Sequence, residues 1–331
     1  MIGWRPFDDD PRVASSRYRT LWPLEELRRG GFPVALYHPG AEAFYSAVII
    51  SKRARYEDLQ LARKVKQSGR ALIFDICDNH FYNPQALPEY TALRWRLLAM
   101  LRMADVVVCS TSPLADAVSA ELSGSVTPKV IGDPFEPIVL PVDAPRPATP
   151  QLLWFGSHGS PNAPSGMLDL VLIAEELAEL YAKSPFELVV VSNSQEKYRS
   201  HIAPFPFPTR YVPWDEATFP QHLAMATAVL LPLSRNPFVA CKTHNRVSVA
   251  LYAGVPVVAD GIYSYREFGR YCYLDDWRGG LEAVLNAPNE ARARLAGVRE
   301  HLDRVWSLRV IAQQWADVLE PFVGPSPEKS Q

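Results

Sequence analysis

Cysteine is scarce in this chain, and its spacing suits neither a metal site nor a redox motif. The 331 residues include four cysteines, Cys77, Cys109, Cys241 and Cys272, with no Cys-x-x-Cys pair. Three of them lie in apolar, strand-like runs, as expected for buried thiols in a reducing cytosol, whereas Cys241 is predicted to be exposed. Because a chain of this length can bury cores without disulfides, we expect neither disulfides nor a bound metal.

An excess of charge of one sign and a long apolar run are also missing. The formal net charge is -2, which argues against a nucleic-acid-binding protein, because such proteins are usually strongly basic. No stretch approaches about 18 uninterrupted apolar residues, and the N-terminus lacks a basic segment followed by an apolar one. We therefore expect a soluble cytoplasmic protein with no signal peptide and no transmembrane helix. Peripheral membrane association stays open, as does the oligomeric state.

Short apolar runs alternate with helical patterns along most of the chain. The first run leads into a polar loop at 6–19, and a helix is predicted to begin near Leu21 and end at Gly30. Predicted strands cover 2–5, 34–38, 47–51, 71–76, 105–110, 128–132, 151–155, 187–192, 209–214, 228–233, 255–258 and 271–274. This alternation predicts an α/β protein with parallel, doubly wound sheets.

Prolines at 137, 141, 145, 147 and 150 interrupt the alternation. Proline lacks a backbone donor, so this stretch is predicted to be irregular. We place an N-terminal Rossmann-like domain at 1–140, a proline-rich linker at 141–150 and a second domain at 151–306. The last helix and the tail occupy 307–331.

The stretch from Cys241 to Asp260 carries the clearest functional pattern. Val247, Ala250, Leu251 and Gly254 share one helical face, which predicts a helix from about Thr243 that ends at Gly254. Its first turn contains the polar side chains of Lys242, Asn245 and Arg246. Cations at a helix N-terminus oppose the helix dipole, and they favour a bound anion at that end. We predict a phosphate site there; the alternative is a solvated helix start.

Other candidates follow strands, where open parallel sheets bind their ligands. The sequence GSHGSPN at 156–162 follows the strand at 151–155, and Gly156, Ser157 and His158 are predicted to approach a diphosphate. The motif is neither Gly-x-Gly-x-x-Gly nor a Walker loop, so a flexible turn is the alternative.

Asp78 and His80 follow the strand at 71–76 and are the candidate catalytic residues. Either side chain has the chemistry to take a proton from an acceptor hydroxyl, and the choice between them stays open. Helix capping by the aspartate and backbone bonding by the histidine are the alternatives.

Two further places complete the candidate site. Arg17 and Arg19 are predicted to bind an anionic acceptor or a donor phosphate from the loop after the first strand. Trp214, at the end of the strand at 209–214, has an aromatic face on which a planar ligand group can stack, with core packing as the alternative.

The segment AGVPVVAD and the small-residue helix before it resemble the donor-binding segment of GT-B glycosyltransferases, especially those similar to glycosyltransferase family 4. Lys242 and Asn245-Arg246 resemble the Lys-x-x-Asn-Arg variant of bacterial surface-polysaccharide transferases. Cys241 and Val249 occupy the positions of that family's two glutamates. The resemblance implies two Rossmann-like domains facing a cleft and a last helix that returns to the first domain. It also implies that the nucleobase of the donor lies at Trp214.

The same resemblance implies metal-independent transfer of a sugar from a nucleotide-sugar donor to a glycan, lipid-linked or protein acceptor. No further cofactor is expected, and retention or inversion of configuration stays open. Two alternatives within the GT-B fold are a nucleotide-sugar epimerase or hydrolase, and a catalytically silent subunit that supports a partner enzyme. A nucleotide-sensing binding protein is a third.

Overall fold

Two parallel sheets form the framework of the computed structural model, which describes residues 1–143, 147–161 and 163–323. The strands of the described residues are β1 Ile2–Arg5, β2 Val34–Leu36, β3 Ala47–Ser51, β4 Ala71–Ile76, β5 Val106–Cys109, β6 Lys129–Val130, β7 Gln151–Phe155, β8 Glu187–Ser192, β9 Thr209–Pro213, β10 Ala228–Leu231, β11 Val257–Ala259 and β12 Tyr273–Leu274. Each predicted strand is present, several of them shorter by one to three residues.

Helices connect the strands. The α-helices of the described residues are α1 Ala14–Ser16, α2 Trp22–Arg29, α3 Tyr56–Gln67, α4 Pro88–Met103, α5 Ser112–Glu121, α6 Ala174–Tyr181, α7 Gln195–His201, α8 Phe219–Met225, α9 Pro237–Ala240, α10 Asn245–Tyr252, α11 Trp277–Asn286, α12 Pro288–Ala293, α13 Val298–Trp306 and α14 Leu308–Leu319. A π-helical turn covers Arg17–Leu21, and 3-10 helices cover Glu42–Phe44, Met167–Ile173, Tyr263–Phe268 and Glu320–Phe322.

The chain divides into two compact units. Unit 1 comprises Met1–Pro134, Cys241–Thr243 and Val305–Gln331, and unit 2 comprises Phe135–Ala240 and His244–Arg304. The predicted linker at 141–150 includes residues 144–146, which lie outside the described residues, as does the predicted tail from 324 onward.

The sheet of unit 1 has the strand order β2-β1-β3-β4-β5-β6, all parallel. Alternate residues of β3 and β4 enter two different cores: Val48 and Phe74 pack beneath α3, α4 and α5, and Ile49 and Ile73 pack with α2 and α14. Both faces are therefore apolar, as expected for a parallel sheet covered by helices.

Helix α14 covers unit 1 through Trp315, which is fully buried 4.7 Å from the ring of Trp4. It packs against α2 and contributes Ile311 and Leu319 to the same core. The closing helix of the chain thus belongs to the hydrophobic core of the first sheet.

The sheet of unit 2 has the order β12-β11-β10-β7-β8-β9, also parallel. Its core includes Leu152 and Trp154 of β7 and Leu188 and Val190 of β8. Since β7 is a central strand, its carboxyl end is where a ligand site is expected in a doubly wound sheet.

Two expectations about local structure are wrong. Residues 14–19, predicted as loop, are helical and include the start of the π turn, and Ser16 and Tyr18 are buried there. Cys241 is 3% exposed because it packs into the core of unit 1. Polar neighbours in the sequence had suggested a surface position, which tertiary packing overrides.

Candidate functional site

Arg246 lies at the carboxyl end of β7 in unit 2. It is the second residue of α10, and its guanidinium carbon is 5.9 Å from the ring centroid of the fully buried Trp154. A methyl group added at Gly156 would lie 3.4 Å from Arg246 Nη1 and 3.2 Å from the Trp154 ring. Glycine at 156 therefore leaves the space that the guanidinium occupies.

Two further side chains interact with Arg246, Tyr265 through a hydrogen bond and Asp169 through its charge, and the sequence analysis missed both. Burial raises the pKa of Tyr265, whose hydroxyl is hydrogen-bonded by Arg246. Burial also raises the pKa of Asp169, and hydrogen bonds from Ser234 and the Gly166 amide, together with the charge of Arg246, act in the opposite direction. The guanidinium is thus fixed by a ring, a hydroxyl and a nearby carboxylate.

The glycine-rich segment after β7 folds back closely on itself. A methyl group at Gly159 would lie 2.2 Å from the Ser165 carbonyl oxygen, and one at Gly166 would lie 2.4 Å from that of Ser157. Both glycines have positive φ, +80° and +139°, which disfavours other residues. The segment is therefore a tight turn with a defined path; residue 162 of the predicted motif lies outside the described residues.

Several backbone amides of this segment already donate hydrogen bonds to other residues of unit 2. The His158 amide donates to Asn193 Oδ1 at 2.9 Å, and His158 Nδ1 lies 2.9 Å from the same oxygen. The Gly156 amide donates to β8, and the Ser160 amide donates to Ala163. The predicted role of Gly156, Ser157 and His158 in phosphate binding stays a prediction, and Arg246 is the stronger candidate for that charge.

In unit 1, Asp78 follows β4 and accepts hydrogen bonds from two lysines. Lys52 Nζ lies 2.6 Å from Oδ2, and Lys242 Nζ lies 2.7 Å from Oδ1. Burial acts to raise the pKa of Asp78, but the charges of Lys242 and Lys52 outweigh it and hold the pKa well below its ordinary value. Asp78 is therefore a carboxylate at neutral pH and a weak base. His80 Nε2 lies 4.0 Å from Oδ2.

The short segment Cys241–Thr243 brings Lys242 to Asp78. The Cys241 carbonyl accepts a 3.0 Å hydrogen bond from Thr111 Oγ1, and its thiol accepts a 3.6 Å contact from Asn79 Nδ2. Val249, the other position at which the resembling family carries a glutamate, is 4% exposed in α10. Both positions are occupied by buried, uncharged side chains.

Lys52 was not singled out from the sequence, because SKRARYED resembles an ordinary solvated charge run. The residue directly follows β3 and has φ of +58°, an uncommon left-handed conformation. Its amide donates to the Asp75 carbonyl at 2.7 Å, and its ammonium group lies 5.1 Å from the Phe7 ring centroid. The pairing of Ser51 with Asp75 sets this geometry.

Arg19 and Arg17 are buried in unit 1. Arg19 is 1% exposed and bonds to Asp75 and Asp133, at 2.5 Å and 3.0 Å. Its pKa is raised because those two charges outweigh the opposing effect of burial. Arg17 is 7% exposed and donates to the carbonyl of Pro11. Arg19 therefore has internal carboxylate partners, and we leave both arginines out of the proposed binding site.

Trp214 follows β9, and its amide donates to the Ser192 carbonyl at 2.8 Å. The residue is 37% exposed, which leaves part of the ring open to solvent. Its contact with a nucleobase stays a prediction.

Two searches of the described residues gave no positive result. No group of three or more His, Cys, Asp or Glu in that part of the chain is placed to hold a metal ion. None of the described helices has the length and apolar character needed to cross a membrane.

Comparison with known proteins places the fold. No known family profile matches the sequence, and no curated protein matches it. Solved structures do match. A glycosyltransferase from Rickettsia africae ESF-5 is 11% identical, with a TM-score of 0.63 over 98% of this chain and 99% of that protein.

A second match covers almost the whole of both chains. The lipopolysaccharide outer core galactosyltransferase WaaB, in its apo form, is 12% identical with a TM-score of 0.59 over 97% of this chain and 99% of that one. The fold is that of GT-B glycosyltransferases. An E. coli structure described as trehalose-6-phosphate bound with UDP-2-fluoro glucose also matches, at 14% identity and a TM-score of 0.59, over 84% of this chain and 73% of that one. At these identities the GT-B likeness concerns the fold alone.

Proposed function

We propose that this chain is a glycosyltransferase that moves a sugar from a nucleotide-activated donor to a hydroxyl acceptor. The observation that carries the proposal is the fixed guanidinium of Arg246 at the carboxyl end of β7, beside Gly156. Doubly wound sheets bind ligands at that end, and GT-B glycosyltransferases share the fold over nearly the whole chain. An established nucleotide-sugar complex among the matching structures supports the donor class.

In this proposal Arg246 stabilises the leaving nucleotide. Negative charge grows on the phosphate as the glycosidic bond breaks, so a cation fixed in advance is most effective in the transition state. Asn245 is the first residue of α10 and places the positive end of the helix dipole at the same phosphate. Side-chain cations, with no metal required, would thus take the leaving-group charge, and Trp214 would contact the base.

We assign acceptor binding to unit 1. For an inverting reaction, we assign to His80 the role of the base that takes the proton of the acceptor hydroxyl. A base must accept the proton of the acceptor hydroxyl. Asp78 is unsuited because Lys52 and Lys242 lower its pKa, whereas histidine ordinarily titrates near neutrality. Asp78 would instead hold the two lysines in place.

One of the matching structures supports a proposal for the acceptor class. A lipopolysaccharide galactosyltransferase aligns over almost the whole chain. We propose a cytoplasmic hexosyltransferase of bacterial surface-polysaccharide or glycoconjugate assembly, acting on a glycan, lipid-linked or protein acceptor.

A ligand-stability screen over nucleotide sugars and bare nucleotides tests the donor assignment. A true donor at 100 times its dissociation constant adds about 2.7 kcal/mol to the free energy of unfolding. The donor that stabilises most is then incubated with the protein, and nucleotide release is measured with and without candidate acceptors. Stabilisation by bare nucleotides as strong as by any sugar nucleotide would favour a nucleotide-sensing protein, and free-sugar or epimerised product would favour the hydrolase or epimerase.

A catalytically silent subunit is the second candidate. It is favoured by the buried, uncharged Cys241 and Val249 at the two glutamate positions of the resembling family. This function predicts donor binding or partner assembly without turnover. Sugar transfer by the purified chain, with kcat/KM lowered about tenfold or more in Arg246→Met, would exclude it.

A further inference from the structure

Two ammonium groups flank the carboxylate of Asp78 in unit 1. Each bonds to a different carboxylate oxygen, Lys52 at 2.6 Å and Lys242 at 2.7 Å. One small carboxylate therefore holds both cations, each on a different oxygen. Lysine binds phosphate as a point charge, so two ammonium groups that share one carboxylate suit a phosphoryl group.

Exposure decides which charges a ligand meets first. The side chains of Lys242 and Lys52 are 34% and 16% exposed, and that of Asp78 is 10% exposed. The neighbouring anion that also acts on Lys52 is Asp133, which is 4% exposed and bonded to Arg19. The accessible part of the cluster is therefore cationic, and its carboxylates lie deeper.

The backbone conformation of Lys52 is a second observation that indicates a binding site. A non-glycine residue at φ +58° has a strained backbone, and such strain is concentrated at binding and catalytic sites. Here the left-handed residue follows β3 directly, and its side chain reaches Asp78, two residues beyond the end of β4.

We propose that Lys52 and Lys242, positioned by Asp78, form an oxyanion site in unit 1 that binds a phosphoryl group of the acceptor. The assignment to the acceptor rests on the proposed function, in which unit 2 binds the donor. The acceptor is then a phosphorylated molecule, and Lys52 is a specificity-determining residue for it. The donor diphosphate, bound by Arg246, is a second phosphate source that the experiment separates.

Calorimetric titration of the full chain with inorganic phosphate tests the site directly. Lys52→Met should weaken phosphate binding about tenfold to a hundredfold, since a hydrogen bond to a charged group is lost. Lys52→Arg keeps the charge and should bind within about threefold of the wild type. Lys64→Met removes an exposed lysine of α3 and is the matched control, with unchanged phosphate binding. Melting curves of all variants establish that each is folded.

A second titration, with nucleoside diphosphates, distinguishes the two sources. The proposal predicts that phosphate and nucleoside diphosphate bind together, that Arg246→Met weakens only the nucleotide, and that Lys52→Met weakens only phosphate. It is overturned if wild-type protein fails to bind phosphate at millimolar concentration, if folded Lys52→Met binds it normally, or if nucleoside diphosphate displaces it. Absence of nucleotide binding with phosphate binding intact would count against the proposed function and leave the oxyanion site standing.

Discussion

Lys242 donates a 2.7 Å hydrogen bond to Asp78, a residue 164 positions earlier in the chain. From the sequence, one was a candidate phosphate ligand and the other a candidate base. Because of this contact, the Asp78 carboxylate accepts hydrogen bonds from ammonium groups, and His80 is the better candidate for the base. The same contact accounts for the depressed pKa of Asp78.

Replacing Asp78 tests this relationship through the pH dependence of stability. The folded-state pKa lies below the ordinary 3.8, because the two lysines outweigh the effect of burial. The carboxylate therefore contributes stability above about pH 4, and that contribution is lost as the pH falls toward the folded-state pKa. Asp78→Asn should lower the free energy of unfolding by about 1–3 kcal/mol at pH 7, and the difference should shrink at pH 3.

Urea denaturation at both pH values measures this effect. Asp116→Asn, an exposed position of α5, is the control and should change stability by less than about 0.5 kcal/mol. A difference between wild type and Asp78→Asn that grew on acidification would contradict the assignment.

Arg246→Met should lower kcat/KM for the donor by about tenfold to a hundredfold, because a charge-assisted hydrogen bond to the donor phosphate is lost. Steady-state kinetics with the donor found in the screen gives kcat/KM for each variant. Arg278→Met is the control, since its side chain is 72% exposed and pairs with Glu179 at the surface. Equal kcat/KM for the two variants would remove Arg246 from the site.

The glycine turn after β7 gives a prediction with an internal control. Gly159 and Gly297 have nearly the same φ, +80° and +78°, but a methyl group meets the Ser165 carbonyl at 2.2 Å in the first case and nothing within 4 Å in the second. Gly297→Ala should cost only the left-handed strain, about 1–2 kcal/mol. Gly159→Ala must also displace the turn, because the added methyl group overlaps the Ser165 carbonyl. Donor affinity should therefore fall only in Gly159→Ala, and calorimetric titration with the donor measures it.

The buried ion pairs of Arg19 predict a stability defect. Arg19→Met leaves Asp75 and Asp133 buried without their cation and should destabilise the protein by about 3–5 kcal/mol in urea denaturation. Arg29→Met, at a side chain 65% exposed, should change stability by less than about 0.5 kcal/mol. A near-neutral Arg19→Met would argue against a structural role for this arginine.

Much of the fold could be predicted from local pattern. The runs at 47–51 and 71–76 became β3 and β4 without change, because β-branched residues bounded by turn residues specify a buried strand. The helix after Thr243 was also predicted, although it begins at Asn245. The helical residues 14–19 were missed, since their polar side chains gave no helical period and only tertiary packing buries Arg17 and Arg19.

Some features of the candidate site could likewise be predicted from the sequence, and others could not. Sequence alone determined that Asp78, His80 and Arg246 follow strands or begin a helix, because local hydrophobic spacing fixes where strands and helices end. Only the tertiary structure decided that Lys52 and Lys242 share one carboxylate, and that Asp169 lies near Arg246. Those partners are far apart in the chain, and their contact depends on strand register and side-chain packing, for which a single sequence carries no local signal.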